Sequence, residues 1–118
     1  MRQVTFYHNP RCSKSRETLK LVEEFGITPE IIHYLDTPPT AEQLTVLLKQ
    51  LGFQDARQLM RTKEDLYKEL NLGDDSLSQE ALIQAMAENP KLIERPIVVA
   101  GDKARLGRPP EQVKEILS

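Results

Sequence analysis

Val4-Thr5-Phe6-Tyr7-His8-Asn9-Pro10-Arg11-Cys12-Ser13-Lys14-Ser15-Arg16 is the stretch on which the reading of the whole chain turns. Its first four residues are β-branched or aromatic and predict a short strand. Asn9-Pro10 interrupts regular structure, because a proline ring crowds the residue before it out of the helical region. From about Ser13 the apolar positions Leu19, Val22 and Phe25 recur every three residues, and Leu21 lies four before Phe25. That spacing predicts a helix, which Gly26 is suited to end. The single cysteine, Cys12, falls where this helix begins. Unpaired N–H groups and the positive end of the peptide dipole gather there and favour an ionised thiol.

Working outward, Glu30-Ile31-Ile32-His33-Tyr34-Leu35 predicts a second strand. Two strands joined by one helix of this length pair in parallel through a right-handed crossover. Pro38-Pro39 closes that unit. Thr40-Ala41-Glu42-Gln43 has the pattern of a capping box, and Leu44, Leu47, Leu48 and Leu51 repeat at helical spacing up to Gly52. Asp55 can cap a short segment carrying Leu59 and Met60, and 65–70 predicts another turn or two of helix. Ser78 can cap a helix over Gln79–Glu88 with Leu82, Ala85 and Met86 on its apolar side, stopped by Asn89-Pro90. Pro96-Ile97-Val98-Val99-Ala100 predicts a strand, Gly101-Asp102 a tight turn, and Ala104-Arg105-Leu106 its partner. Pro109-Pro110 opens a final helix bearing Val113, Ile116 and Leu117. The order β-α-β, short helices, β-β-α implies an α/β fold with a mixed four-stranded sheet. That is the order of a thioredoxin-like domain, with a helical insert at about 40–90 and residues 1–118 forming a single domain.

Composition narrows the function classes. The chain has 118 residues, within the usual size of one domain. Its net charge is −2, which argues against a general nucleic-acid binder, since phosphate neutralisation needs a basic face. No apolar run approaches the ~20 residues of a membrane span. No signal-peptide core precedes the first strand, so a cytoplasmic location is expected. Arg11, Lys14, Arg16 and Lys20 outweigh Glu17, and Lys91, Arg95, Lys103, Arg105 and Arg108 outweigh Glu94 and Asp102. These two basic segments flank an acidic middle. One cysteine rules out an internal disulfide, and with two histidines it makes a cysteine-based zinc site a poor fit, so no bound metal or cofactor is expected.

A buried cysteine can be an inert small hydrophobe, but a loop flanked by Pro10, Arg11, Ser13 and Lys14 favours a reactive thiol. His8, Arg11, Lys14 and Arg16 could add positive potential, and Ser15, three residues on, could hydrogen-bond a thiolate or its adduct. The motif is Cys12-x-x-Ser15, so a second sulfur to resolve a mixed disulfide must come from another molecule. The Cys-x5-Arg phosphate cradle of tyrosine phosphatases does not occur here.

Taken together, Tyr7-His8-Asn9-Pro10-Arg11-Cys12-Ser13-Lys14-Ser15-Arg16, Leu59-Met60-Arg61, Glu94-Arg95-Pro96-Ile97-Val98-Val99 and Arg105-Leu106-Gly107-Arg108-Pro109 resemble the ArsC-type arsenate reductases. The resemblance covers essentially the whole chain and points to the glutathione/glutaredoxin-dependent branch, most similar to its YfgD-type subgroup. It implies that Cys12 is the nucleophile toward arsenate, that His8 supports the thiolate, and that Arg61, Arg95 and Arg108 hold the oxyanion. Arginine's planar fork suits such an anion, and its charge does not titrate away. The resemblance further implies glutathione as co-substrate and glutaredoxin as partner, and likens the Arg95-Pro96 bond to the cis-proline of thioredoxin folds. Characterised members commonly have Gly-Thr where this chain has Ser13-Lys14. Two other functions remain open at this point. One is an Spx-like redox-responsive transcription regulator that binds RNA polymerase, although such regulators typically present Cys-x-x-Cys. The other is a glutathione-dependent thiol transferase acting on another substrate.

Overall fold

The computed structural model describes residues 3–117. In chain order the elements are β1 (Val4–Tyr7), α1 (Ser13–Glu24), β2 (Glu30–Ile32), α2 (Ala41–Leu51), α3 (Asp65–Glu69), α4 (Gln79–Glu88), β3 (Ile97–Ala100), β4 (Lys103–Leu106) and α5 (Lys114–Leu117). Short 3₁₀ turns occupy Ala56–Leu59, Pro90–Leu92 and Pro110–Val113. Contacts divide the chain into two compact units, one made of residues up to Thr37 together with those from Arg95, the other of Pro38–Glu94.

The first unit is built on a mixed four-stranded sheet in the order β2-β1-β3-β4. β1 runs parallel to β2 and antiparallel to β3, and β3 runs antiparallel to β4. The parallel pair follows from the α1 crossover, and the antiparallel pair from the two-residue turn at Gly101-Asp102, where Gly101 takes φ +65°. Val4, Phe6, Val22, Val98, Ala100, Val113 and Ile116 make one buried cluster beneath the sheet. Burying each of the larger members contributes about 1.5–3 kcal/mol. β2 ends at Ile32, short of the expected Leu35. The reason is local: the His33 carbonyl accepts from both Asp36 and Thr37 N–H at 2.9 Å, which turns the chain before a longer strand can form.

α1 begins and ends as its sequence suggests, but its buried face differs from the Leu19-Val22-Phe25 line. Ser15, Thr18 and Val22 are its buried residues, and Phe25 is 42% exposed. The amino-terminal half of the helix thus presents small polar side chains inward, where apolar periodicity has nothing to detect. Thr18 Oγ1 donates to the Lys14 carbonyl at 2.7 Å and lies 3.4 Å from the Gly107 carbonyl. A Cβ built on Gly107 would fall inside contact distance of Thr18 Oγ1, and within 2.7 Å of Pro96 Cγ. Glycine is required there because the end of β4 passes so close to α1.

The second unit is helical. Thr40 Oγ1 accepts from Gln43 N–H at 3.1 Å while Gln43 Oε1 accepts from Thr40 N–H at 2.9 Å, so both halves of the capping box are formed. α2 ends at Gly52 in the left-handed region, with Phe53 N–H bonded to the Leu48 carbonyl and Gly52 N–H to that of Lys49. Asp55 caps the 3₁₀ turn Ala56–Leu59, and Ser78 caps α4. α2 packs on α4, with Leu44, Leu47, Leu48, Leu82, Ile83 and Met86 buried. A single antiparallel bridge, Met60 to Ile93, joins the segment before Arg61 to the segment before Arg95. Arg61 N–H donates to the Leu92 carbonyl at 2.7 Å and Glu94 N–H to the Leu59 carbonyl at 2.7 Å.

Candidate active site

The β1-to-α1 connection positions the thiol. Cys12 N–H donates to the Asn9 carbonyl at 3.0 Å, closing a turn over Pro10 and Arg11. Arg11 N–H bonds Asn9 Oδ1 at 3.0 Å, and Arg16 Nη1 donates to the Pro10 carbonyl at 2.8 Å, so both ends of the turn are held. Cys12 then occupies the N-cap position of α1 in an extended conformation (φ −96°, ψ 123°). A serine or aspartate oxygen there would accept from the first free N–H groups of the helix; here a half-buried sulfur takes that place.

The sulfur's surroundings set its acidity. Partial burial pushes the Cys12 pKa up. The Ser15 N–H, the Arg95 charge, the Lys14 N–H and a hydrogen bond from the Arg108 side chain together outweigh it, so the thiol lies below its ordinary range. The charges come from the open end of the β3–β4 hairpin. Ile97 pairs with Leu106, Gly107 N–H donates to the Pro96 carbonyl at 3.0 Å, and Arg95 therefore stands opposite Arg108. Arg108 Nη1 donates to the Arg95 carbonyl at 3.1 Å. Both Arg95-Pro96 and Arg108-Pro109 are cis peptide bonds, the second without any signal in the sequence.

His8 and Ser15 form a buried pair. His8 Nδ1 is 2.7 Å from Ser15 Oγ, and Asn9 N–H donates to the same oxygen at 3.1 Å. Phe6 packs edge-on to the His8 ring at a centroid distance of 5.4 Å. Burial, then the nearby His33 and Arg16, hold the His8 pKa below its ordinary value. Burial thus disfavours the charged form of His8, and the ring is held by its contact with Ser15.

Cys12, His8, Ser15, Arg95 and Arg108 all belong to the first unit. Arg61 belongs to the second, where its Nη1 pairs with Glu64 Oε2 at 3.1 Å and Lys91 Nζ lies 3.9 Å from the same carboxylate. Arg105 Nε donates to Glu115 Oε1 at 2.8 Å, and Arg16 Nη1 donates to the Pro10 carbonyl at 2.8 Å. Thr18 and Gly107 are positioning residues that sequence reading missed. Their only signal was a polar residue on the inner side of α1 and a glycine without a turn to make. Among the described residues no group of three or more His, Cys, Asp or Glu could hold a metal ion, and no helix is long and apolar enough to cross a membrane.

Comparison with known proteins places nearly the whole chain in one family. The family model described as ArsC family matches residues 7–116. The protein YfgD of Escherichia coli K12 is 69% identical over 116 residues, 98% of each chain. The arsenate reductase of Haemophilus influenzae is 56% identical over 114 residues, covering 97% of this chain and 98% of its own. Among solved structures, the arsenate reductase from Vibrio cholerae superposes with a TM-score of 0.96 at 63% identity, covering 98% of each chain. With residues 7–116 matched by the family model and nearly the full length superposed on a relative of 63% identity, the chain belongs to the ArsC family.

Proposed function

We propose that the protein is an arsenate reductase of the glutathione/glutaredoxin type. The observation that carries this reading is the Cys12 thiol at the start of α1, its ionised form favoured by helix N–H groups and by Arg95 and Arg108. The same positive groups that favour a thiolate also attract a tetrahedral oxyanion. Arginine offers two parallel N–H donors to such an anion, and donors already in place need not reorganise as charge moves.

The Cys12 thiolate attacks arsenic(V), forming an S–As bond as water or hydroxide leaves. A glutathione thiolate then attacks the Cys12 sulfur. An S–S bond forms, and the electron pair of the S–As bond stays on arsenic, which departs as arsenite. The two thiols have supplied the two electrons. Glutaredoxin reduces the Cys12–glutathione disulfide and returns the thiol. With only one cysteine in the chain, both later sulfurs must come from outside. Similarity to the Haemophilus influenzae and Vibrio cholerae arsenate reductases supports the substrate.

Alkylation of Cys12 by iodoacetamide, with and without arsenate, tests the anion site directly. Arsenate should protect the wild-type thiol, and Arg95→Ala should abolish the protection and lower kcat/KM by about 10²-fold. Equal alkylation with and without saturating arsenate would overturn the proposal.

A further inference from the structure

Thr18 is wholly buried on the inward side of α1, and the steps proposed above make no use of it. Its hydroxyl donates to the Lys14 carbonyl at 2.7 Å. That carbonyl and the Ser15 N–H belong to one planar peptide group. The Ser15 N–H is in turn a donor to the Cys12 sulfur, as the third helical N–H is toward an N-cap side chain. A line therefore runs from the Thr18 hydroxyl through one rigid amide to the thiol. A hydrogen bond accepted at the carbonyl end of an amide polarises it and makes its N–H the stronger donor. The far side of the threonine is closed by the hairpin. Thr18 Oγ1 lies 3.4 Å from the Gly107 carbonyl, and a Cβ on Gly107 would meet Thr18 Oγ1 and Cγ2. Threonine in a helix divides between two χ1 rotamers, and packing against Gly107 holds Thr18 in the one that reaches Lys14. Gly107 immediately precedes Arg108. The two sets of donors to the sulfur, helix N–H groups and hairpin arginines, thus meet at this one side chain.

We propose that Thr18 is a positioning residue for the nucleophile, its hydroxyl holding and polarising the Lys14–Ser15 amide whose N–H faces the Cys12 sulfur. This deepens the function proposed above and rests on its reading of Cys12 as a thiolate nucleophile. Thr18 acts through the backbone and touches neither substrate nor sulfur. Arg95 and Arg108, which face the sulfur from the hairpin, keep their charge whatever stands at position 18. What changes is the strength of one backbone donor. A threonine that only filled space would be replaceable by valine, which has nearly its shape. One that served the helix alone would alter stability and leave the sulfur as it was.

The test reads alkylation of Cys12 by iodoacetamide against pH and needs no arsenate. Thr18→Val keeps the shape and removes the hydroxyl. Thr18→Ser keeps the hydroxyl, which in a helix bonds the same carbonyl four residues back. The midpoint should rise by about half a pH unit in Thr18→Val, which is about a threefold loss of thiolate below the midpoint. Thr18→Ser should keep the wild-type midpoint. Thr18→Ala removes the same hydroxyl without adding bulk, so its midpoint should rise as well, and it gives the reading should Thr18→Val not fold. Thermal unfolding of each variant separates stability from the thiol. A lowered Tm in Thr18→Val and Thr18→Ala with the midpoint unmoved would leave Thr18 a structural residue and overturn the proposal. So would equal shifts in Thr18→Ser and Thr18→Val, which would trace the effect to packing rather than to the hydroxyl. If the wild-type midpoint were that of a free thiol, the nucleophile reading would fall and this inference with it. If the midpoints moved as expected but arsenate were never reduced, only the arsenate assignment would fall.

Discussion

Arg108 Nη1 donates to the carbonyl of Arg95 at 3.1 Å, across the open end of the β3–β4 hairpin. One arginine thus fixes the backbone of the other at the place where both act on the Cys12 sulfur. The strand register makes this possible. Pairing of Ile97 with Leu106 leaves Pro96 beside Gly107, and the next pair outward is Arg95 and Arg108. The hairpin therefore carries the charge, while α1 carries the sulfur and the helix N–H groups.

The ionisation of Cys12 should follow the hairpin arginines. Alkylation rate against pH should give a midpoint below that of a free thiol in the wild type, because Arg95 and Arg108 favour the anion. Arg95→Ala and Arg108→Ala should each move that midpoint upward. A midpoint unmoved in both variants would show that the helix N–H groups act alone.

The same shift has a consequence for stability. The native Cys12 releases its proton at lower pH than the unfolded thiol, which titrates near ~8.5. Between those two values the unfolded chain holds more protons, so stability rises with pH. The contribution is complete above the unfolded value and is lost as pH falls through the native one. Urea unfolding of wild type and Cys12→Ser should therefore diverge in favour of the wild type as pH is raised toward 8.5. Parallel curves would contradict it.

Gly107→Ala should destabilise the protein by about 1–3 kcal/mol, the usual cost of forcing a methyl group into a packed contact. Its Cβ would meet Pro96 Cγ at 2.7 Å and Thr18 Cγ2 at 2.8 Å. Thr18→Ala in the same chain removes the threonine side of the crowding. Thermal unfolding should show the double variant recovering part of the loss, whereas simple addition of two losses would place the strain elsewhere.

Thr40→Ala removes one half of the reciprocal cap on α2 and should cost about 1 kcal/mol in urea unfolding. Cys12 alkylation should be unchanged, since Thr40 belongs to the helical unit and the thiol to the other.

The elements were legible where local chemistry decides them. Thr40 with Gln43, Asp55, Ser78 and the Gly101-Asp102 turn all act within a few residues of themselves, and each forms as its pattern predicts. The sheet was legible because strand-helix-strand and hairpin connections leave few ways to pair. What was hidden depends on distant neighbours. The inward face of α1 is Ser15 and Thr18, polar residues made necessary by the approach of Gly107 and by the His8 ring. Burial lowers the His8 pKa, which a charge count along the chain does not register. The pairing of Arg61 with Glu64 joins residues only three apart, yet it shows only once the chain has turned after Arg61.

The most direct test of the proposed chemistry is arsenate-dependent NADPH oxidation by the purified protein with glutathione, glutaredoxin and glutathione reductase, run beside Cys12→Ser. Arsenate-stimulated turnover in the wild type, lost in the variant, is the expected result. Turnover that survives in Cys12→Ser, or a folded wild type with a titratable thiol and no arsenate-dependent rate, would contradict it.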